Sequence, residues 1–311
     1  MPNKPDLKGA KVFVTGASGF IGRHLLSALA AAGAAVSTLQ HDSSVDTARG
    51  EGHRGDLRDA ASIERAARSS APDVIFHLAA FKQRSARIED FARAIETNVL
   101  GSLNLLMAAA ALPQLKSIVV IGTAEEYGQN KAPFVETMRE LPVNAYSQSK
   151  QALTHLCEVL HRLHNLPVVV LRPSIAYGPG QSSDMFLPAL IRSLLNNTPF
   201  AMTGGAQTRD FIYVSDLVDA MLLAATHAGV AGEVLNIGSG QPVTIATLAQ
   251  KVAALTGRPE LLQLGKLPYR PGEVMDYRVD PAKARRLLGW SPRIDLDAGL
   301  AATIEHYRQH A

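Results

Sequence analysis

Tyr146 and Lys150 stand four residues apart in Tyr146-Ser-Gln-Ser-Lys150, which on a helix puts a phenol and an ammonium on one face. A free phenol titrates at about pH 10 and carries protons poorly at neutrality, but a neighbouring ammonium stabilises the phenolate. The pair suits acid or base work between a carbinol and its carbonyl. Such spacing also arises by chance on exposed helices, so it needs company. Gly122-Thr123-Ala124-Glu125-Glu126-Tyr127-Gly128 follows the apolar run Ser117-Ile-Val-Val-Ile121; as the end of a strand, it brings the Thr123 hydroxyl to the sheet edge where the oxygen served by Tyr146 would lie. Thr15-Gly16-Ala-Ser18-Gly19-Phe20-Ile21-Gly22 follows Val12-Phe-Val14. Its glycine spacing removes side chains where a pyrophosphate approaches backbone N–H groups at a helix N-terminus. The flanking strand and helix favour a dinucleotide over a structural glycine turn.

These segments need a scaffold that gathers strand ends. Val12-Phe-Val14, Ala35-Val-Ser-Thr-Leu39, Val74-Ile-Phe-His-Leu78, Ser117-Ile-Val-Val-Ile121 and Val168-Val-Val-Leu171 are short, apolar runs rich in β-branched residues, as buried parallel strands are. Between them, residues 20–32, 60–69, 91–111 and 145–164 carry apolar side chains at helical spacing. The alternation predicts an α/β fold with a doubly wound parallel sheet of Rossmann type. Beyond Arg172-Pro173 it loosens into shorter helices over 186–196, 214–226 and 245–256. The chain therefore divides into a dinucleotide-binding domain over residues 1–172 and a smaller α/β lobe for substrate over 173–311, with later segments returning to the sheet. Neither a low-complexity linker nor an internal repeat separates them.

Two places bear on the adenosine half of a dinucleotide. Asp56, where a third strand would end, is placed either to accept from an adenine amino group or to cap the helix from Arg58 onward. The second strand ends Leu39-Gln40-His41-Asp42, where an acidic side chain would bind both ribose hydroxyls of NAD and repel the 2′-phosphate of NADP. Gln40 lacks that charge, and His41, Arg49 and Arg54 offer a phosphate company, although Asp42 stands close by. Between NADP and NAD, the balance favours NADP.

Composition removes other classes. With 47% hydrophobic and 19% charged residues the chain is globular rather than disordered. One cysteine, Cys157, builds neither an internal disulfide nor a thiolate metal site and fits a reducing compartment; packing suits it better than nucleophilic attack. The net charge of +3 is scattered among carboxylates, which favours small anions over a nucleic-acid groove. The N-terminal apolar run is too short for a signal segment or a membrane span, so no membrane partner and a cytoplasmic location are expected. His161 and His164 lie one helical turn apart without a third ligand and read as a solvated face, so no metal is expected. Trp290 is expected to anchor the C-terminal segment to the core.

Thr15 to Gly22, His77-Leu78-Ala79-Ala80, Asn98-Val-Leu-Gly101, Thr123, Tyr146-x-x-x-Lys150, Arg172-Pro173, Tyr177-Gly-Pro-Gly180, Arg209-Asp-Phe-Ile-Tyr-Val214 and Asn236-Ile-Gly-Ser-Gly240 together resemble the extended short-chain dehydrogenase/reductases, the NAD-dependent epimerase/dehydratase family that acts on nucleotide sugars. The resemblance runs along nearly the whole chain. It implies that Thr123, Tyr146 and Lys150 form the catalytic triad, with Lys150 also on the nicotinamide ribose. It implies cofactor contacts from Gly16, Ser18, Gly19, Phe20, Ile21, Gly22, Gln40, His41, Asp56, Leu57, Leu78, Ala79, Ala80 and Pro173. It further implies contacts to a nucleotide-diphosphate sugar from Lys82, Asn98, Arg209 and Arg270, the arginines on the diphosphate. A homodimer through the long helices is the family's expected assembly. Ile175 stands where the family usually has Asn.

The reaction within the family is less constrained. The Thr-x-Glu spacing of Thr123 and Glu125 is similar to that of the 4,6-dehydratases, with Glu125 as the catalytic carboxylate, but the acid often found between them is Ala124. Reductases of nucleotide-linked 4-keto-6-deoxyhexoses also resemble the Glu125-Glu126-Tyr127-Gly128 stretch and the Arg270-Pro-Gly-Glu-Val274 segment. With Gln40 permitting a cofactor that arrives reduced, the sequence favours the reductase. A 4-epimerase or 4,6-dehydratase with tightly held NAD is the alternative, and a non-catalytic NAD(P)-sensing protein is the alternative of another class.

Overall fold

The computed structural model describes residues 6–41, 51–270 and 272–310; Asp42 and Arg49 lie outside them. The first half runs β1 (Lys11–Thr15), α1 (Phe20–Ala31), β2 (Ala35–Gln40), β3 (Glu51–Arg54), α2 (Ala60–Ser70), β4 (Val74–His77), α3 (Ile88–Ala94), a π-helical stretch (Ile95–Leu100), α4 (Gly101–Ala110), β5 (Ser117–Ile121), α5 (Ala145–His164) and β6 (Val168–Pro173). The remainder runs β7 (Ile175–Tyr177), α6 (Phe186–Leu195), β8 (Phe200–Ala201), β9 (Thr208–Tyr213), α7 (Val214–Thr226), β10 (Val234–Ile237), β11 (Pro242–Thr244), α8 (Ile245–Thr256), β12 (Leu262–Gln263), β13 (Asp276–Tyr277), α9 (Ala282–Leu288) and α10 (Leu296–Gln309).

Seven strands form one sheet in the order β10-β6-β5-β4-β1-β2-β3, every pair parallel. The order runs outward both ways from β1 and β4, which opens a crevice above their carboxyl ends. β4 and β5 are buried along their whole length because helices cover both faces. Leu25, Leu29, Leu217 and Met221 pack on one face; Ile63, Leu105, Leu153 and Cys157 pack on the other. Cys157 is part of this core, and burial pushes its thiol up to about 12, the opposite of an activated nucleophile.

β10 belongs to the large sheet although it comes late in the chain. Of the other late strands, β11-β9-β13 with β7 also on β9 build a second sheet and β12 pairs with β8, beside a core of Leu190, Ile191, Leu248, Val252 and Ile304. The indole of Trp290 donates to Asp216 O at 3.0 Å, and the Asp216 carboxylate accepts from the backbone N–H groups of Arg293 and Ile294. The C-terminal segment is anchored by this tryptophan.

The helix expected over 91–111 begins three residues earlier and widens into the π stretch. The reason lies at Asn98, which accepts from Phe81 N at 2.6 Å and donates to Phe81 O at 2.9 Å and Ser149 Oγ at 2.8 Å. A π turn re-aims a side chain that a regular helix would point elsewhere, and here it ties the loop after β4 to α5. No described helix is long and apolar enough to cross a membrane, and no cluster of metal-ligating side chains occurs among the described residues. His161 is turned onto Leu166 O at 2.9 Å.

Candidate active site

The chain leaves β1 through Gly16 at φ +73° and enters α1, whose N-cap, Gly19, supplies no side-chain cap. A Cβ on Gly16 would lie 2.6 Å from Ala79 N, and one on Gly22 2.3 Å from Gly16 O. Strand, turn and helix meet this closely only because both are glycine. Ser18 is exposed at the turn's tip, with Phe20 and Ile21 half-buried behind it. Leu78, Ala79 and Ala80 leave β4 beside the turn, and Ala79 N donates to Thr15 Oγ1 at 3.3 Å. That oxygen also lies 2.7 Å from His77 Nδ1, while His77 Nε2 lies 2.7 Å from Ser102 Oγ. Burial drives His77 down to about 3, so it is a neutral strut joining β1, β4 and α4. A cradle without side chains at a helix N-terminus fits a dinucleotide pyrophosphate.

At the far end of the cradle, Gln40 is buried against Gly52, where a Cβ would lie 2.4 Å from its Nε2. His41 is exposed with Nε2 3.2 Å from Asp56 Oδ2. Asp56 accepts from Arg58 N at 2.9 Å and pairs with its guanidinium at 2.6 Å; these Arg58 hydrogen bonds hold the carboxyl well below the usual range. The cap of α2 is Asp59, which accepts from Ala61 N at 3.1 Å. Asp56 therefore caps the turn at Arg58, and the helix has its own cap. Leu57 is buried beside Gly101, and Pro173 closes β6 in the interior.

Asn144 accepts from Ser147 N at 2.8 Å and starts α5, so Tyr146 and Lys150 fall in its first two turns, both buried. Thr123, just past β5, lies close enough to the Tyr146 hydroxyl to act on its titration, and its Oγ1 accepts from Glu125 N at 3.2 Å. The phenol and the alcohol thus stand near one another beyond the carboxyl end of β5, and Lys150 lies one turn further along α5. Burial first, and the Glu125 carboxylate second, push Tyr146 above the ordinary phenol range. Burial lowers Lys150 to about 8 against the pull of Glu126.

Glu126 is fully buried and has three partners: Thr123 N at 2.9 Å, Thr154 Oγ1 at 2.9 Å and Arg172 Nε at 2.7 Å. Arg172 is buried as well, lies over the Tyr127 ring and reaches Glu140 at 2.5 Å. The ion pair pins the Thr123 backbone to α5 and β6, so the two halves of the triad cannot drift apart. Sequence reasoning passed over Glu126; the Thr123-x-x-Glu126 spacing marks only its backbone partner, while Thr154 and Arg172 lie 28 and 46 residues away.

The substrate side is a cleft of about 300 Å³ whose lining includes Arg84, Glu125, Ile175, Arg209, Arg270 and Tyr277. Arg209 donates to Thr208 O at 2.8 Å and Val274 O at 2.7 Å and pairs with Glu273, whereas Arg270 is exposed on the rim. Lys82 is exposed on the loop after β4. Asn98 is spent on Phe81 and Ser149 and holds the loop rather than facing the cleft. Arg84, which sequence reasoning also missed, places its guanidinium carbon 5.3 Å from the centre of the Tyr146 ring and its Nε 2.7 Å from Glu125 Oε1.

A sequence-family model for the NAD dependent epimerase/dehydratase family matches residues 12–238. The dTDP-glucose 4,6-dehydratase of Neisseria gonorrhoeae is 32% identical, with 95% of each chain covered. Among solved structures, the UDP-glucose 4-epimerase of Thermotoga maritima, determined with UDP-glucose, superposes with a TM-score of 0.89 at 30% identity, covering 96% of this chain and 99% of that one. The UDP-glucose 4-epimerase of Thermus thermophilus, in complex with NAD, gives a TM-score of 0.86 at 28% identity, covering 96% and 99%.

Proposed function

Because this chain belongs to the NAD-dependent epimerase/dehydratase family, the extended short-chain dehydrogenase/reductases that act on nucleotide sugars, we propose that it is a nucleotide-sugar 4-epimerase that holds NAD through its cycle. The observation that carries this reading is the set of proton carriers beside the triad. Eliminating water from a sugar needs an acid for the departing hydroxyl as well as a base for the carbon acid. Ala124, fully buried, supplies no acid; Glu126 is locked to Arg172, and Glu125 is paired with Arg84. One phenol remains, and oxidation followed by re-reduction at a single carbon needs one.

When bound, the nicotinamide dinucleotide supplies the acceptor and donor of hydride for the sugar carbon. Gly16, Gly19 and Gly22 hold its pyrophosphate against backbone N–H groups. Tyr146 takes the proton of the C4 hydroxyl as the ketone forms and returns it when the opposite face is reduced. Thr123 orients that oxygen, and Lys150 stabilises the phenolate. Arg270 and Arg209 hold the substrate's diphosphate at the rim, with Arg209 kept in place by Glu273. The exposed side chains of Ile88 on α3, Leu100 at the end of the π-helical stretch, Met107 on α4 and Leu163 on α5 form the seam of a homodimer, which light scattering checks.

The relatives and solved structures named above are epimerases and dehydratases, the alternative to the reductase that the sequence favoured. Gln40, without an acidic group for the ribose, is the feature that still speaks for a reductase using NADPH. Denaturing the purified protein and identifying the released dinucleotide separates the two. Near-stoichiometric NAD, and two-way interconversion of 4-epimeric nucleotide sugars without added cofactor, are expected. An empty site that takes NADPH and consumes it in one direction would overturn the epimerase.

A further inference from the structure

We propose that Arg84 is a positioning residue for the catalytic proton: seated on the face of the Tyr146 ring and paired with Glu125, its guanidinium is the fixed positive charge that lets this phenol ionise. The inference rests on Tyr146 being the proton carrier.

The charges facing the phenol come from four places. Lys150 lies on its own helix, and Glu125 and Glu126 come from the turn after β5, beside the Thr123 hydroxyl. Arg84 comes from the loop after β4, with Lys82 acting on Lys150 nearby, and Tyr277 comes from β13. Two carboxylates oppose the phenolate. Glu126 is already neutralised by Arg172, which leaves Glu125 as the carboxylate that needs a counter-charge. Lys150 is an incomplete one, since burial brings its ammonium down to about 8. A guanidinium keeps its charge throughout the accessible range.

Geometry gives Arg84 both tasks at once. Its Nε takes up Glu125 Oε1 at 2.7 Å, and its guanidinium carbon, 5.3 Å from the ring centroid, meets a π face whose negative charge grows as the hydroxyl loses its proton. The pair stands partly open, with the side chains 45% and 23% exposed. A sugar seated in the cleft would exclude water from it, and every charge interaction there would strengthen. Burial works against the charged form of Arg84, and the Glu125 carboxylate, with Tyr146 and Tyr277, more than offsets that.

The test compares wild type, Arg84→Met, Arg84→Lys, Glu125→Gln and the double variant Arg84→Met/Glu125→Gln, each with its dinucleotide bound. Tyrosinate absorbance is titrated against Tyr146→Phe as the blank, and the pH profile of conversion is read on the same proteins. Arg84→Met should raise the Tyr146 midpoint by about one unit and slow conversion at neutral pH about tenfold, mostly in kcat rather than KM. Glu125→Gln should lower the midpoint, the double variant should return close to wild type, and Arg84→Lys should keep most of the effect of the charge. A structural role for Arg84 would give the double variant no recovery. That result, or an Arg84→Met midpoint equal to wild type, would overturn the inference. Midpoints that move as expected in a protein that interconverts no nucleotide sugar would uphold Arg84 and remove the epimerase; unmoved midpoints with normal interconversion would do the reverse.

Discussion

At the dinucleotide end of the crevice the chain works by leaving side chains out. Gly16 and Gly22 have backbone atoms within 2.6 Å and 2.3 Å of where a Cβ would sit, and His77, buried in the wall behind them, is held neutral. At the sugar end the chain does the opposite and crowds ionisable side chains together: Arg84 on Glu125, Arg209 on Glu273, and Arg172 between Glu126 and Glu140. A pyrophosphate is the same in every dinucleotide and needs only N–H groups and room. A sugar hydroxyl that must lose and regain a proton needs a tuned electrostatic setting, which backbone alone does not supply. The two ends should therefore fail separately when mutated.

Removing the proton carrier is the most severe test of that separation. Tyr146→Phe should lower kcat by roughly a thousandfold while dinucleotide affinity, measured by calorimetry, stays at the wild-type value. Loss of the dinucleotide as well would mean that the ends are one cooperative unit. Glu126→Ala strips a buried carboxylate from Arg172 and should cost about 3–5 kcal/mol in chemical denaturation, an effect on the frame that serves both ends. Gly22→Ala is the converse of the tyrosine variant. Forcing a methyl against the Gly16 carbonyl costs on the order of 1–3 kcal/mol, expected as up to about a hundredfold loss of dinucleotide affinity, with substrate binding unaffected.

The same contrast explains what the sequence made legible. β1, β4, β5 and β6 lie where the apolar runs place them because they are buried on both faces and so read as continuous stretches, and β2, only partly buried, is marked by its Ala35-Val and Leu39 positions. The glycine turn and the Tyr146/Lys150 pair were equally visible, since their partners are local: a helix N-terminus in one case, one helical turn in the other. β10 went unassigned, its Asn236 interrupting a four-residue run. Arg84 and Glu125 are 41 residues apart, and Arg209 and Glu273 64; these pairs exist only once the loops are folded, and loops have no periodicity to read. Asn98 shows the cost of carrying a role over from a resemblance: the residue expected at the substrate bonds Phe81 and Ser149 from within the π-helical stretch.

The smallest expected effect concerns pH, and it sets the two ends apart without touching catalysis. His77 titrates at about 3 in the folded chain against 6.5 when free, so between those values the unfolded chain binds the additional proton. Stability should therefore rise with pH across that window and be lost as pH falls below 6.5, by at most about 1.4 kcal/mol per pH unit from this group. His77→Asn keeps a neutral polar strut and removes the titration, so its denaturation midpoint should depend less steeply on mildly acidic pH than that of wild type. Dinucleotide affinity should vary less than stability over the same range, because the glycine turn that faces the pyrophosphate carries no titratable side chain. The conversion rate should instead respond on the alkaline side, where Lys150, lowered to about 8, begins to lose its proton and support for the phenolate passes to Arg84. A dinucleotide affinity that tracked the conversion profile would show that the neutral strut and the charged cleft share one titrating group.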